Sequence, residues 1–140
     1  TWAAGGQPWM IVTGDMNGDG HVDVVAANRE GDNVAVLLGD GTGDLGEPAT
    51  YAVGGAPLAV DVGDLDGDGD LDVVSSDYDG NSFTIYENDG AGVLVNPRSH
   101  AASGAGSCAV IHDRDLDGDL DITGIDEKDD KVFLFENPGA

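Results

Sequence analysis

The sequence predicts an all-β chain: a β-propeller segment built of four-stranded antiparallel blades. Two observations lead there. A 49-residue pattern runs through the 140 residues without insertion, with Asp15, Asp64 and Asp113 each opening a nine-residue stretch rich in Asp and Gly. Each copy also holds short apolar segments separated by Gly, Asp, Asn or Pro, which read as strands joined by tight turns. Four such strands per copy, at a period of this length, are the pattern of a propeller blade.

In the first copy the strands are expected at Trp9–Thr13, Val22–Ala27, Val34–Leu38 and Ala49–Val53. β-Branched or aromatic residues favour the pleated surface there or in a sister copy, and the short linkers suit antiparallel neighbours. Further landmarks keep the register. Gly5-Gly6-Gln7-Pro8 returns as Gly54-Gly55-Ala56-Pro57 and, more loosely, as Ser103-Gly104-Ala105-Gly106, while Asn33–Leu37 falls on Ser82–Tyr86 and Lys131–Phe135. The expected division is residues 5–53, 54–102 and an incomplete 103–140, preceded by residues 1–4, which align with the fourth strands Thr50–Val53 and Ser99–Ala102.

Thr1–Ala4 is thus an outer strand without a blade, and the third copy is a blade without its outer strand. The one is expected to complete the other by strand exchange. Three blades are too few for a closed ring. Two chains would give a homodimeric six-bladed ring with its edges paired, and neighbouring blades of a longer chain would serve the same end. With no initiating Met and no signal-peptide pattern, the sequence reads as a trimmed or processed product.

Composition narrows the function. The chain has 28 acidic residues against 5 Lys plus Arg, for a formal net charge of −23. Such a surface repels nucleic acid and anionic lipid, and no apolar run approaches the roughly 18–20 residues of a membrane helix. Apolar residues at 40% still suffice for a core. Cys108 is the single cysteine, so no internal disulfide framework exists. His21, His100 and His112 share no local motif, and there is no nucleophile elbow, phosphate loop or zinc spacing. The chain reads as non-enzymatic.

The Asp-rich stretches carry the chemistry. A backbone that wraps once around a point brings together the side-chain oxygens at positions 1, 3, 5 and 9. These are Asp15, Asn17, Asp19 and Asp23; Asp64, Asp66, Asp68 and Asp72; and Asp113, Asp115, Asp117 and Asp121. The backbone carbonyls of His21, Asp70 and Asp119 at position 7 add a further donor, and Gly20, Gly69 and Gly118 at position 6 allow the sharp turn. Hard oxygens on a flexible wrap describe Ca²⁺ better than Mg²⁺ or Zn²⁺, about three ions per chain, in a structural role. An EF-hand is excluded: position 12 is Ala26, Ser75 or Gly124 rather than Glu, and the flanks are strand-like. The first loop, with Asn17 at position 3, is expected to bind most weakly. The third has His112 where Gly precedes the others, and Arg114 beside the ligands. An outward pairing of Arg114 with Asp119 would leave that site intact.

Asp-x-Asp-x-Asp-Gly-x-x-Asp after Gly-Asp, followed by a valine-rich strand and a Leu-Gly-Asp-Gly-x-Gly turn, resembles the FG-GAP/VCBS repeat. The resemblance covers nearly the whole chain. It implies a calcium-binding extracellular propeller like those of integrin α-subunits and secreted microbial proteins, serving recognition or adhesion of a carbohydrate or protein ligand. It also places ligand binding on the face opposite the calcium loops, where Arg29 and Tyr78 are the candidate contacts. Two other roles stay open: a self-assembling structural unit and an accessory domain of a secreted polysaccharide-acting enzyme. Millimolar calcium outside cells suits exposed loops of this type.

Overall fold

The computed structural model describes residues 1–137, and their regular structure is entirely β. The last three residues of the expected third unit, 138–140, lie outside the described residues. The first sheet has the order β1 (Pro8–Gly14), β2 (Asp23–Asn28), β3 (Asn33–Leu37), β4 (Ala49–Ala52). The second repeats it with β5 (Pro57–Gly63), β6 (Asp72–Asp77), β7 (Ser82–Asn88) and β8 (Leu94–Ala101). The third comprises β9 (Gly106–His112), β10 (Asp121–Asp126) and β11 (Lys131–Phe135), with β10 in the centre. All neighbours pair antiparallel, as their short connections require. The β2–β3, β6–β7 and β10–β11 hairpins each place Asp32, Asn81 or Asp130 at positive φ, near 50°, a conformation Asp and Asn tolerate.

The propeller expectation is corrected here. The three sheets are separate, each with open edges, and none is closed into a propeller barrel. Thr1–Ala4 forms no strand and does not complete the third sheet, which has three strands among the described residues. The reason is local: the Asn28 side-chain amide donates to the Ala4 carbonyl at 2.5 Å, tying residues 1–4 to the first repeat. That repeat lies across the second sheet from the third.

Strand alternation builds two cores, one on each face of the second sheet. In β6, Val73 enters the core shared with the first sheet, and Val74 enters the core shared with the third. In β7, Tyr86 joins the first core while Phe83 and Ile85 join the second. Every residue of β6 is consequently buried, whereas β1 and β11 each keep one face in solvent. Phe83 fills the second core against Phe133 and Phe135, at ring-centroid distances of 5.8 and 5.6 Å. Gly124 leaves the space for that ring, since a Cβ there would come within 2.7 Å of it.

The sheets are also latched through the Asp-rich loops. Met16, at position 2 of the first loop, is buried in the core with the second repeat, and Leu65 in the second loop packs against the third. Asn88 donates its side-chain amide to the carbonyls of Met16 and Leu71 at 2.8 and 3.1 Å. One period on, Asn137 does the same for Leu65 and Leu120 at 2.6 and 3.3 Å. Each amide joins its own repeat to the one before.

Candidate metal centres

Each loop connects the first two strands of its sheet, and three carboxylates shape it by capping backbone N–H groups. At position 1, Asp15 accepts from Asp19 and Gly20, Asp64 from Gly67 and Gly69, and Asp113 from Leu116 and Gly118. At position 5, Asp19, Asp68 and Asp117 accept from the N–H groups of His21, Asp70 and Asp119. At position 9 the carboxylate is buried and serves two elements at once. Asp23 accepts from Met16 and Gly39, Asp72 from Leu65 and Asn88, and Asp121 from Arg114 and Asn137. These bonds pin the loop to the end of the third strand. They also hold the chain in a wrap that turns carboxylates toward one another.

Two groups of carboxylates converge: Asp64, Asp66 and Asp72 in the second loop, and Asp113, Asp115 and Asp117 in the third, each with oxygens within 4.8 Å of one another. Oxygens bound to one Ca²⁺ at about 2.3–2.6 Å lie no more than about 5 Å apart, so each set fits a divalent ion with hard oxygen ligands. Asp68 and Asp121 fall outside these groups. In the first loop the Asn17 amide is turned onto Asp19 at 3.0 Å, and one of the four side-chain donors is neutral.

Electrostatics separates the second loop from the third. Burial pushes the Asp72 carboxyl above its ordinary value, the N–H groups of Asn88 and Leu65 oppose this, and the charges of Asp66 and Asp68 add to it. Asp66 is raised as well, chiefly by desolvation and further by Asp68 and Glu87. Asp121 is held low, first by the Asn137 N–H and also by Arg114. Arg114 does not pair with Asp119 as the sequence suggested. Its guanidinium lies 3.6 Å from Asp115, Asp121 and Glu136, because its own N–H is tied to Asp121 and directs the side chain over the site. The second loop therefore holds concentrated negative charge without an internal cation, and the third is partly neutralised from within.

At the other end of the sheets, Arg29 lies over the Trp9 ring at 5.3 Å, and Lys128 over the Tyr78 ring at 4.6 Å. Tyr78 is also hydrogen-bonded to Glu127, which raises its pKa. Both side chains engage neighbours in their own chain. Sequence reasoning missed two further sets, each legible as a 49-residue recurrence. One is the amide pair Asn88 and Asn137. The other is Asn28, Asp77 and Asp126, buried at the ends of β2, β6 and β10. Asp77 accepts hydroxyls from Ser75, Ser82 and Thr84, and Asp126 accepts the N–H groups of Gly104, Lys128 and Asp129.

No helix among the described residues is long and apolar enough to cross a membrane. A search of curated proteins returned no match, and neither did a search of solved structures. The profile of the FG-GAP-like repeat matches residues 15–75 and again 64–123, two overlapping spans that both include the Asp64–Asp72 loop. With three copies of the loop, two converging acidic clusters and well over half its length matched, the chain belongs to the FG-GAP-like repeats, non-catalytic structural modules.

Proposed function

We propose that the chain is a calcium-binding recognition module that works outside the cell, its ions fastening the loops and its ligand being a carbohydrate or protein. The observation that carries the calcium reading is the convergence of three carboxylates in the same loop of successive repeats. Binding is ordered by the charge each loop offers. The second loop binds tightest, the third is weakened by Arg114, and the first, with Asn17, is the weakest. About three ions per chain are bound at millimolar calcium, which is an extracellular concentration. Arg29 and Tyr78, at the opposite end, are the ligand contacts in this reading. Isothermal titration with Ca²⁺ after chelation tests it. Sequential sites whose tightest member disappears in Asp64→Ala support the reading, and heat no different from buffer would overturn it.

A second reading, self-assembly into homo-oligomers, is favoured by the open outer faces of the stack. Trp9 and Ile11 on the first sheet, and Val132 and Leu134 on the third, are between 56% and 65% exposed. Apolar side chains concentrated at the two ends of a stack are a binding surface in search of cover.

A further inference from the structure

We infer that Asn17 is a modification site: its side-chain amide is lost spontaneously through a cyclic imide closed by the Gly18 nitrogen, which turns the first Asp-rich loop from three carboxylates into four. The chemistry stands apart from the calcium reading, and its consequence rests on that reading. Asn17-Gly18 is the single Asn-Gly pair of the chain, and it occupies positions 3 and 4 of the loop. Attack on the amide carbon needs a backbone nitrogen that can be reached and can give up its proton. Gly18 is exposed, and no atom lies within 4 Å of the place a Cβ would take there. Its N–H also meets no acceptor among the described residues, because the Asp15 carboxylate is taken up by Asp19 and Gly20. In the other loops the same N–H is capped: Gly67 donates to Asp64 at 2.8 Å, and Leu116 to Asp113 at 2.7 Å. A hydrogen bond to the intact N–H disfavours loss of its proton.

The receiving carbon is prepared as well. The Asp19 N–H donates to Asn17 Oδ1 at 3.2 Å, closing a turn around Gly18. That oxygen gathers negative charge when the carbon beside it is attacked, and a backbone donor aimed at it lowers the barrier. Asp15 and Asp19 oppose the charge, but Asp64 and Asp68 stand at the same positions of the second loop, so repulsion does not distinguish the two. In the first step the bond from the Gly18 nitrogen to Cγ forms, the Cγ–Nδ2 bond breaks, and ammonia leaves with the proton given up by Gly18. Water then opens the imide. Addition at Cγ gives an aspartyl side chain, the same product as Asn17→Asp. Addition at the backbone carbonyl gives an isoaspartyl link, with an additional carbon in the wrap. Either product carries a new carboxylate, so the charge of the loop rises with the age of the molecule. With an ion seated, Oδ1 serves as a ligand and the wrap is fixed, so an occupied loop ages slowly.

Mass spectrometry of the folded full chain, aged in chelator and in millimolar calcium, tests the inference, with fragmentation to place the change. The peptide holding Asn17 is expected to gain the mass of an amide turned into an acid, ahead of every other asparagine. Asn17→Gln is expected to abolish the gain, because its larger ring closes poorly. Asp66→Asn creates the same dipeptide in the second loop, with the Gly67 N–H still capped, and Asp66 is exposed, so this variant keeps the fold. In chelator its new amide is expected to last about tenfold longer than that of Asn17, a gap that closes in urea. An Asn17 left intact over the time that converts it in urea overturns the inference. Equal rates in the two folded loops overturn the role of the uncapped N–H. Conversion as fast in calcium as in chelator leaves the modification standing and overturns calcium occupancy of the first loop.

Discussion

At the scale of single residues, the loops differ by one atom type or one charge. Asn17 gives the first loop three carboxylates where the second has four among the same positions. Asn17→Asp should tighten the weakest calcium site by about tenfold, a gain near 1.4 kcal/mol. Titration resolves this as a shift of the last binding step with the earlier ones unmoved. Asp77 gives a different test. Burial pushes its carboxyl above the ordinary 3.8, against the hydroxyls of Thr84, Ser75 and Ser82. The folded state then holds a proton that the unfolded chain has released. Asp77 favours folding fully below pH 3.8, and this contribution is lost as pH rises through the higher folded value. Asp77→Asn removes the loss, so the variant should gain on wild type as pH rises through that window. Urea midpoints of both proteins at stepped pH measure it; a gap that does not change with pH would exonerate Asp77.

At the scale of elements, the amide latches and the shared cores hold sheet to sheet. Asn88→Ala leaves the carbonyls of Met16 and Leu71 without their donor, at a cost of about 2–3 kcal/mol. Phe83→Ala should cost about 3–5 kcal/mol, because the ring is fully buried between Phe133 and Phe135. Denaturant unfolding checks both, and an Asn88→Ala midpoint equal to wild type would mean the latch adds nothing. The strands of the first repeat were legible in the sequence within about a residue or two of their ends, since Val, Ile and aromatic runs alternate between punctuating Gly and Asp; β8, expected at Ser99–Ala102, begins five residues earlier at Leu94. The convergence of acids was legible in part: Asp64, Asp66 and Asp72 come together, as do Asp113, Asp115 and Asp117, while Asp68 and Asp121 fall outside these groups. The closed ring was not. Blade number and the alignment of Thr1–Ala4 with later strands point to it, and nothing in that alignment shows the Asn28 bond to Ala4 that holds the segment at home. The direction of Arg114 was hidden for a related reason: the bond of its N–H to Asp121 turns the side chain over the site, toward Glu136, a residue 22 positions further along the chain.

At the scale of the whole molecule, a charge of −23 is crowded onto three small sheets, and in the proposed reading cations held by the loops offset its self-repulsion. Ion binding confined to the folded state adds about 2.7 kcal/mol per site at a hundredfold excess over Kd. Chelation should therefore lower the thermal midpoint by several degrees for each occupied loop. Calorimetry with and without a chelator checks this, and identical midpoints would mean that no loop is occupied.

The latches point one way along the chain: the side chain that fastens Met16 belongs to residue 88, and the one that fastens Leu65 belongs to residue 137. Emerging from a ribosome, the first repeat would expose Met16 until its successor had been made, and the second would expose Leu65 until residue 137 had followed. Each of these two units is finished by the one translated after it, so the order of synthesis is also the order in which the stack closes.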